Sequence, residues 1–431
     1  MSSTQAVGHR TRLLALAAAG VAVTAMLAGC AQSGAASGSS GSGQGVPLGA
    51  SKAEYQKALA DISPVKIVTQ SPAAKGTPVG APWEAYYKAV EDWSGGKITF
   101  DVTYSDGVAP ALEIDDAVID GRLDFGSYMP LYEPDQYPAN ALMGDVSFVG
   151  SHDPVPSILG SNAWMIDAFA KNKELSQEFE ARDIHLLTVF NAGRSYLACS
   201  KPHASLDQMK EGQVQVNSGT QRQQVAALGM EATALNYSEV YEALQRGVVD
   251  CTMASATSLT IGGYDAIANQ LAVDSKTGFA QSTATLIVNK QTWDRLPLAA
   301  QQLLFDRTDA FVDTVARNTI KTNIAAAKSI KKNGGEFLQM DAAATDKLAS
   351  VNEGILADVR KSDALDGETF VTSVTEDSDR WAAIVSDELK FPNPSFEELG
   401  DWTDADVDKL DFPAYTERVF KESLTDIRPG A

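Results

Sequence analysis

RSYLACSKPHASLDQMKEGQVQV, from Arg194 to Val216, and ALNYSEVYEALQRGVVD, from Ala234 to Asp250, decide how this chain is read. The region from Arg194 to Asp250 holds strand, loop, strand, helix, strand, helix and strand in quick succession, the grammar of an α/β lobe with parallel strands. Its last part runs helix, Gly247, two residues, Asp250, and the same order stands earlier in Ala117-Val-Ile-Asp-Gly121-Arg-Leu-Asp124. A glycine that ends a helix in the left-handed conformation serves many short αβ loops. The echo nevertheless suggests two lobes of like construction.

Working outward towards the amino terminus, Val65 to Val68 reads as a strand that opens into a Pro/Ala/Gly/Thr loop from Ser71 to Gly80. Pro82 suits a first helical turn, and Trp83, Tyr86, Tyr87, Val90 and Trp93 recur at helical spacing up to Gly95-Gly96. Ile98, Phe100, Val102 and Tyr104 alternate as a strand, a helix follows from about Pro110 to Asp120, and Leu123 to Phe125 is a strand. A helix near Ala163 to Arg182 leads into a strand from His185 to Phe190, a candidate hinge. Beyond the central region Thr285 to Val288 is a strand, and Trp293 with Leu296-Pro297 starts a long helix to about Lys332, stopped by Asn333-Gly334-Gly335. A helix of that length measures about 50 Å, more than one lobe needs, and is expected to span both.

These elements place lobe I at 64–190, completed by about 280–319, and lobe II at 191–279, completed by about 320–350. Residues 351–431 hold helices and an acidic, Pro-punctuated stretch, Phe391 to Asp411, which reads as a solvated tail packed on the back of a lobe.

The amino terminus sets the compartment. Arg10 and Arg12 precede an apolar run, Leu13 to Leu27, and then Leu27-Ala-Gly-Cys30, so 1–29 reads as a lipoprotein signal with Cys30 as the acylated residue. The run is short for a spanning helix. Residues 30–63 begin with a Gly/Ser/Ala tether, 31–49, whose reach is about 25 Å. The expected product is extracytoplasmic and held to the cell membrane by lipid. The formal charge is −21, and removing 1–29, whose only charges are Arg10 and Arg12, leaves −23, which disfavours nucleic acid and anionic lipid as partners. Cys199 and Cys251 are the other two thiols, free to be a disulfide or two small buried apolar residues.

No helical His/Glu pair, zinc-type cysteine spacing, phosphate-cradling glycine loop or nucleophile elbow is present, and the histidines are few and scattered. This argues against a hydrolase or metalloenzyme and calls for no cofactor or metal. Polar groups instead collect at strand ends and loop starts: Asn191, Arg194, Gln215, Asn217, Tyr237, Thr252 and Ser255. Trp83 and Tyr128 are further candidates to face a cleft from lobe I, although most of the stripe around Trp83 is core. Arg194 starts an apolar strand, where its guanidinium offers a fixed fork to a carboxylate, either a ligand's or a neighbouring aspartate's. Ser238 reads as a helix cap, with Tyr237 just ahead of it.

The run Ser205-Leu-Asp-Gln-Met-Lys-Glu-Gly212-Gln-Val-Gln-Val216, then Ala227-Leu-Gly229 and Tyr237 to Asp250, resembles the solute receptors of TRAP transporters, the DctP-like family. Gly95-Gly96-Lys97, the Gly121 to Asp124 element and Leu296-Pro297 support it, and the resemblance covers roughly 64–335. It implies a two-lobed α/β periplasmic-binding-protein-like fold with a long helix bridging both lobes. It further implies a receptor that is not an enzyme, closes on a small organic solute and delivers it to membrane permease subunits. A ligand-sensing lipoprotein and a receptor for an ATP-driven importer are the alternatives on this fold. The family's carboxylate-binding arginine would fall at Gln215, and its later amide at Ala254, so both are replaced. The solute is then either a carboxylate taken by Arg194 alone or a more neutral one bound through Gln215, Asn217 and Tyr237.

Overall fold

The alternation around Ile98 and the apolar runs at 184–191 and 283–289 form strands of one sheet, and the central region builds a second. The structure, a computed structural model, describes residues 43–431 apart from positions 192 and 236 and the side chains at 237 and 238. The signal, Cys30 and most of the tether lie outside the described residues, as does the Tyr237 side chain. In chain order the strands are β1 Val65–Ser71, β2 Ile98–Tyr104, β3 Phe125–Tyr128, β4 Ile184–Asn191, β5 Ser195–Cys199, β6 Gln213–Gln215, β7 Glu231–Thr233, β8 Cys251–Ser255, β9 Gln270–Val273, β10 Thr283–Asn289 and β11 Glu336–Gln339.

Sheet I has the order β2-β1-β3-β10-β4 and sheet II the order β11-β9-β5-β8-β6-β7. In sheet I, β10 runs antiparallel to β3 and β4; in sheet II, β5 runs antiparallel to β8 and β9. The chain therefore passes between sheets from β4 to β5, from β9 to β10 and along the helix that leads into β11.

That helix, Thr308–Lys332, has 25 residues and so measures about 37 Å. Phe311, Val312 and Val315 of its first half enter the lobe I core, while Ala326 and Ile330 of its second half pack on lobe II. It bridges both lobes, but it is shorter than the sequence pattern suggests. Leu298–Asp306 is a separate helix, and the step falls at Arg307. Tertiary partners there outweigh helical continuity: Asp306 is held by Tyr55 (2.5 Å) and by Arg428 (2.9 and 3.0 Å), and the Arg307 guanidinium lies 3.6 Å from the Trp93 ring centroid. The helix read near 163–182 is likewise two, Pro156–Lys171 and Lys173–Glu180, separated by extended Asn172.

The repeated helix–glycine–aspartate element does the same job in both lobes. Gly121 and Gly247 take φ of 79° and 68°, the left-handed region where a Cβ is unfavourable. Just beyond, the Asp124 N–H donates to the Val68 carbonyl (2.8 Å) and its carboxylate accepts from the Val68 N–H (2.9 Å). Asp250 repeats this on Gln213, at 2.8 and 3.0 Å. Each aspartate thus clamps its own strand into register with the first strand of its lobe's parallel set.

Sheet II buries both faces. Leu197 and Cys199 point to one core with Val214 and Met253, and Tyr196 and Ala198 point to the other with Ala254 and Leu271, the period-two alternation of a strand. Cys199 and Cys251, opposite one another on β5 and β8 with Cα atoms 4.0 Å apart, form a disulfide.

The acidic carboxyl-terminal stretch keeps much of its length exposed, but Phe391, Leu399 and Val407 anchor it in the lobe I core, as Trp381, Phe412 and Tyr415 anchor the helices on either side. Several of its carboxylates are local caps: Glu398 closes a capping box with Ser395, Asp406 one with Thr403, and Asp411 accepts from the Ala414 N–H (3.1 Å).

Candidate ligand-binding site

In sheet I the parallel strands end at Ser71, Tyr128 and Asn191; in sheet II the ends of β6 and β8 and the start of β5 bring Gln215, Ser255 and Arg194 to one edge. Ligands of open α/β sheets bind outside such carboxyl ends. The β4–β5 and β9–β10 connections meet here, and their side chains bind one another.

Asn191 is the knot. Its amide donates to Ser161 Oγ (2.7 Å) and to Gln281 Oε1, its carbonyl oxygen accepts from the Gly193 N–H (2.8 Å), and its own N–H donates to Asn162 Oδ1 (3.0 Å). Gln281 lies on the other connection, so Asn191 ties the two crossings together. Gly193 has φ of 125°, a conformation that favours glycine, and a Cβ there would make a tight contact, 3.1 Å from Ser255 Cβ.

Arg194 comes next in the chain and is 6% exposed. Its Nη2 donates to the Asp274 carbonyl (3.2 Å), and its guanidinium lies 5.6 Å from the Tyr196 ring centroid. Nη1 is buried without an acceptor, and among the described residues no carboxylate forms an ion pair with this arginine. Burial lowers its pKa from the ordinary value, opposed by Tyr196, Asp153 and Asp274. His152 beside it is pushed well below the usual imidazole range by burial and then by the Arg194 charge, and so stays neutral.

Gln215 is buried and both its amide donors are engaged. Its Oε1 accepts from Thr252 Oγ1 (2.6 Å), and its Nε2 donates to Asn217 Oδ1 (2.9 Å) and the Val216 carbonyl (3.2 Å). Asn217, which is exposed, passes the chain on to the Met253 carbonyl (2.7 Å). The structure thus joins Gln215, Asn217 and Thr252 in one network that stitches β6 to β8, leaving the Gln215 amide no free N–H donor to offer a carboxylate. Ser255 is likewise engaged, accepting from the Ser258 N–H (3.1 Å) as a helix cap.

The lobe I candidates lie deeper. Trp83 is set edge-on against Phe311 and Phe190, with ring centroids 5.4 and 6.2 Å away, and its Nε1 has no partner among the described residues. Tyr128 is 1% exposed; its hydroxyl donates to Glu133 (2.8 Å) and is strongly held in its neutral form, first by burial.

Sequence reading missed His152 and a direct contact between lobes, Thr220 Oγ1 donating to Asp145. Burial raises the Asp145 pKa from its ordinary value, a trend the threonine opposes. Neither has a local signal, because each partner is far away in the chain. Cys199, Cys251 and His203 also lie together, but the two sulfurs are bonded to one another. A cavity of about 630 Å³ between the amino-terminal arm, Trp93 and the helix Phe412–Val419 lies away from this edge. No helix among the described residues is long and apolar enough to cross a membrane.

Two sheets with exchanged strands, three crossings and polar groups at facing strand ends define a two-lobed α/β binding protein. The model of the bacterial extracellular solute-binding proteins, family 7 (DctP), matches residues 70–362. The chain belongs to that family. A solute-binding protein of Verminephrobacter eiseniae is 34% identical over 97 residues, a match spanning 22% of this chain and 26% of that protein's length. Among solved structures, a TRAP periplasmic solute-binding protein from Sulfitobacter sp. NAS-14.1 with bound β-D-galacturonate is 20% identical, with a TM-score of 0.59, over 72% of this chain and 99% of that one. DctP6 of Bordetella pertussis, an extracytoplasmic solute receptor binding pyroglutamic acid, is 18% identical, with a TM-score of 0.61, over 72% and 100%.

Proposed function

We propose that this chain is an extracytoplasmic receptor that captures a small organic acid at the junction of its lobes and delivers it to a TRAP-type secondary transporter. One observation carries the reading: Arg194 is buried at the crossing, with Nη1 lacking an acceptor and no carboxylate paired to it among the described residues. Asp153 and Asp274 offset the charge only from a distance, and a buried cation with no direct ion pair is costly; a ligand carboxylate would supply that pair with charge-assisted bonds. The proteins of like fold that bind galacturonate and pyroglutamic acid support the ligand class. Because Gln215 is neutral and has no free donor, the site grips one carboxylate, through Arg194, and shapes the rest of the pocket with the Gln215, Asn217, Thr252 and Asn191 networks. Trp83, Tyr128, Tyr237 and Ser255 remain proposed contacts that lobe movement would bring to the ligand.

Leu27-Ala-Gly-Cys30 supports acylation at Cys30 and a lipid anchor ahead of lobes that begin near residues 64 and 191. Native mass spectrometry of the purified protein tests the function. A released small molecule with one carboxyl group is expected; a purely neutral or cationic one would overturn the reading.

A further inference from the structure

The family model ends at residue 362, and the chain beyond that point touches both lobes in turn. Helix Gly367–Ala383 is fixed to lobe I, where Asp377 accepts from Lys171 (2.5 Å) and Trp381 Nε1 donates to Asp167 (2.6 Å). The chain then passes the lobe junction, with Asn393 Nδ2 donating to Asp153 (2.9 Å), and reaches lobe II at Phe396. The Phe396 ring meets Tyr196 edge-on, centroids 5.2 Å apart at 89°, and stacks on Phe337 at 5.5 Å and 19°. Lys331 at the end of the bridging helix donates to the Glu397 carbonyl (2.7 Å). Thereafter the chain returns to lobe I, where Tyr415 donates to the Leu159 carbonyl (2.8 Å) and Arg428 grips Asp306.

Tyr196 of β5 stands two residues after Arg194, which immediately precedes the strand, and the Arg194 guanidinium lies over its ring. We infer that Phe396 is a positioning residue of the ligand site: carried on a strap rooted in lobe I, it clamps Tyr196 of lobe II and so holds Arg194 while limiting how far the lobes open. Residues on either side of Phe396, Phe391 and Leu399, are buried in the lobe I core, so the strap cannot follow lobe II outward without leaving that core. The part of this inference that concerns Arg194 rests on the proposed function; the limit on opening does not.

Two measurements separate these parts. Interlobe distances come from labels at exposed Leu112→Cys and Val248→Cys, in ligand-free protein. Phe396→Ala is expected to broaden and lengthen the distribution, and Phe396→Leu, which keeps an apolar plug, to restore most of it. An unchanged distribution in well-folded Phe396→Ala overturns the strap. Binding is read with β-D-galacturonate and pyroglutamate by calorimetry. Phe396→Ala is expected to weaken binding about 3- to 10-fold, the worth of an aromatic contact, and to have no effect in an Arg194→Lys background. Equal losses in both backgrounds overturn the positioning role. If wild-type protein binds neither probe, the ligand reading fails for these acids and the distance measurement alone decides the strap.

Discussion

Gln215→Arg puts back the side chain that the resemblance places at this position, and its consequences are set by the bonds Gln215 now makes. The amide oxygen is the acceptor for Thr252 Oγ1 at 2.6 Å, and Thr252 is buried. A guanidinium has no acceptor, so the threonine hydroxyl is stranded, costing about 1–3 kcal/mol. The donation to Asn217 survives, since arginine can make it. A second buried cation near the crossing adds a penalty that only a second carboxylate relieves. Ligand-free Gln215→Arg is therefore expected to be at least about 1–3 kcal/mol less stable in urea. Its affinity for a dicarboxylate such as succinate should rise by about 10- to 100-fold, the value of a charge-assisted bond. A variant as stable as wild type with no gain in succinate affinity would refute the view that a neutral Gln215 with both donors engaged restricts the site to one carboxylate.

The Cys199–Cys251 disulfide closes 52 residues of chain, so Cys199→Ala/Cys251→Ala should lose about 4 kcal/mol in urea unfolding, and a loss under about 1 kcal/mol would contradict a chain-entropy role. Asp309 is pushed up to about 6 by burial, against the Arg307 charge that lowers it. A carboxyl raised above its unfolded value contributes stability that is complete below about pH 4 and lost as pH rises through about 6. Wild type should therefore lose ground to Asp309→Asn between pH 4 and pH 8 in parallel melts, and a constant difference would count against that shift. Asp250→Ala removes the carboxylate from the Gln213 N–H and should cost about 1–3 kcal/mol, with hydrogen exchange rising first at β6. Uniform protection across β6 and β8 would argue against the register clamp.

Much of this architecture was legible from short-range signals. The Gly121 and Gly247 stops, the alternation in β2 and the apolar β10 all act within one element, and the two aspartate clamps arise from the same local order. The bridging helix was legible as a span but not in its length, because the step at Arg307 is set by Tyr55, Trp93 and Arg428, distant partners that periodicity cannot see. The anchoring of the carboxyl-terminal strap was not legible for a related reason: several of its acidic residues serve as caps, and its buried apolar residues, Phe391, Leu399 and Val407, are too widely spaced to stand out.

In the candidate site, Arg194 and Gln215 stood out by type and position. Their states did not: whether the arginine has a counter-ion, and whether the amide is free, depend on Asp274, Asn217 and Thr252 meeting them in space. Asn191 was a candidate contact in the sequence, and the structure gives it a bond to Gln281 that joins the two crossings.

Calorimetry of Arg194→Ala, with Arg194→Lys as the folded control, against the acid that co-purifies with wild type tests the central claim most directly. The account predicts a loss of at least about tenfold for Arg194→Ala, the lower value of a charge-assisted bond, with part of it recovered by lysine. Undiminished affinity in a folded Arg194→Ala protein would contradict it.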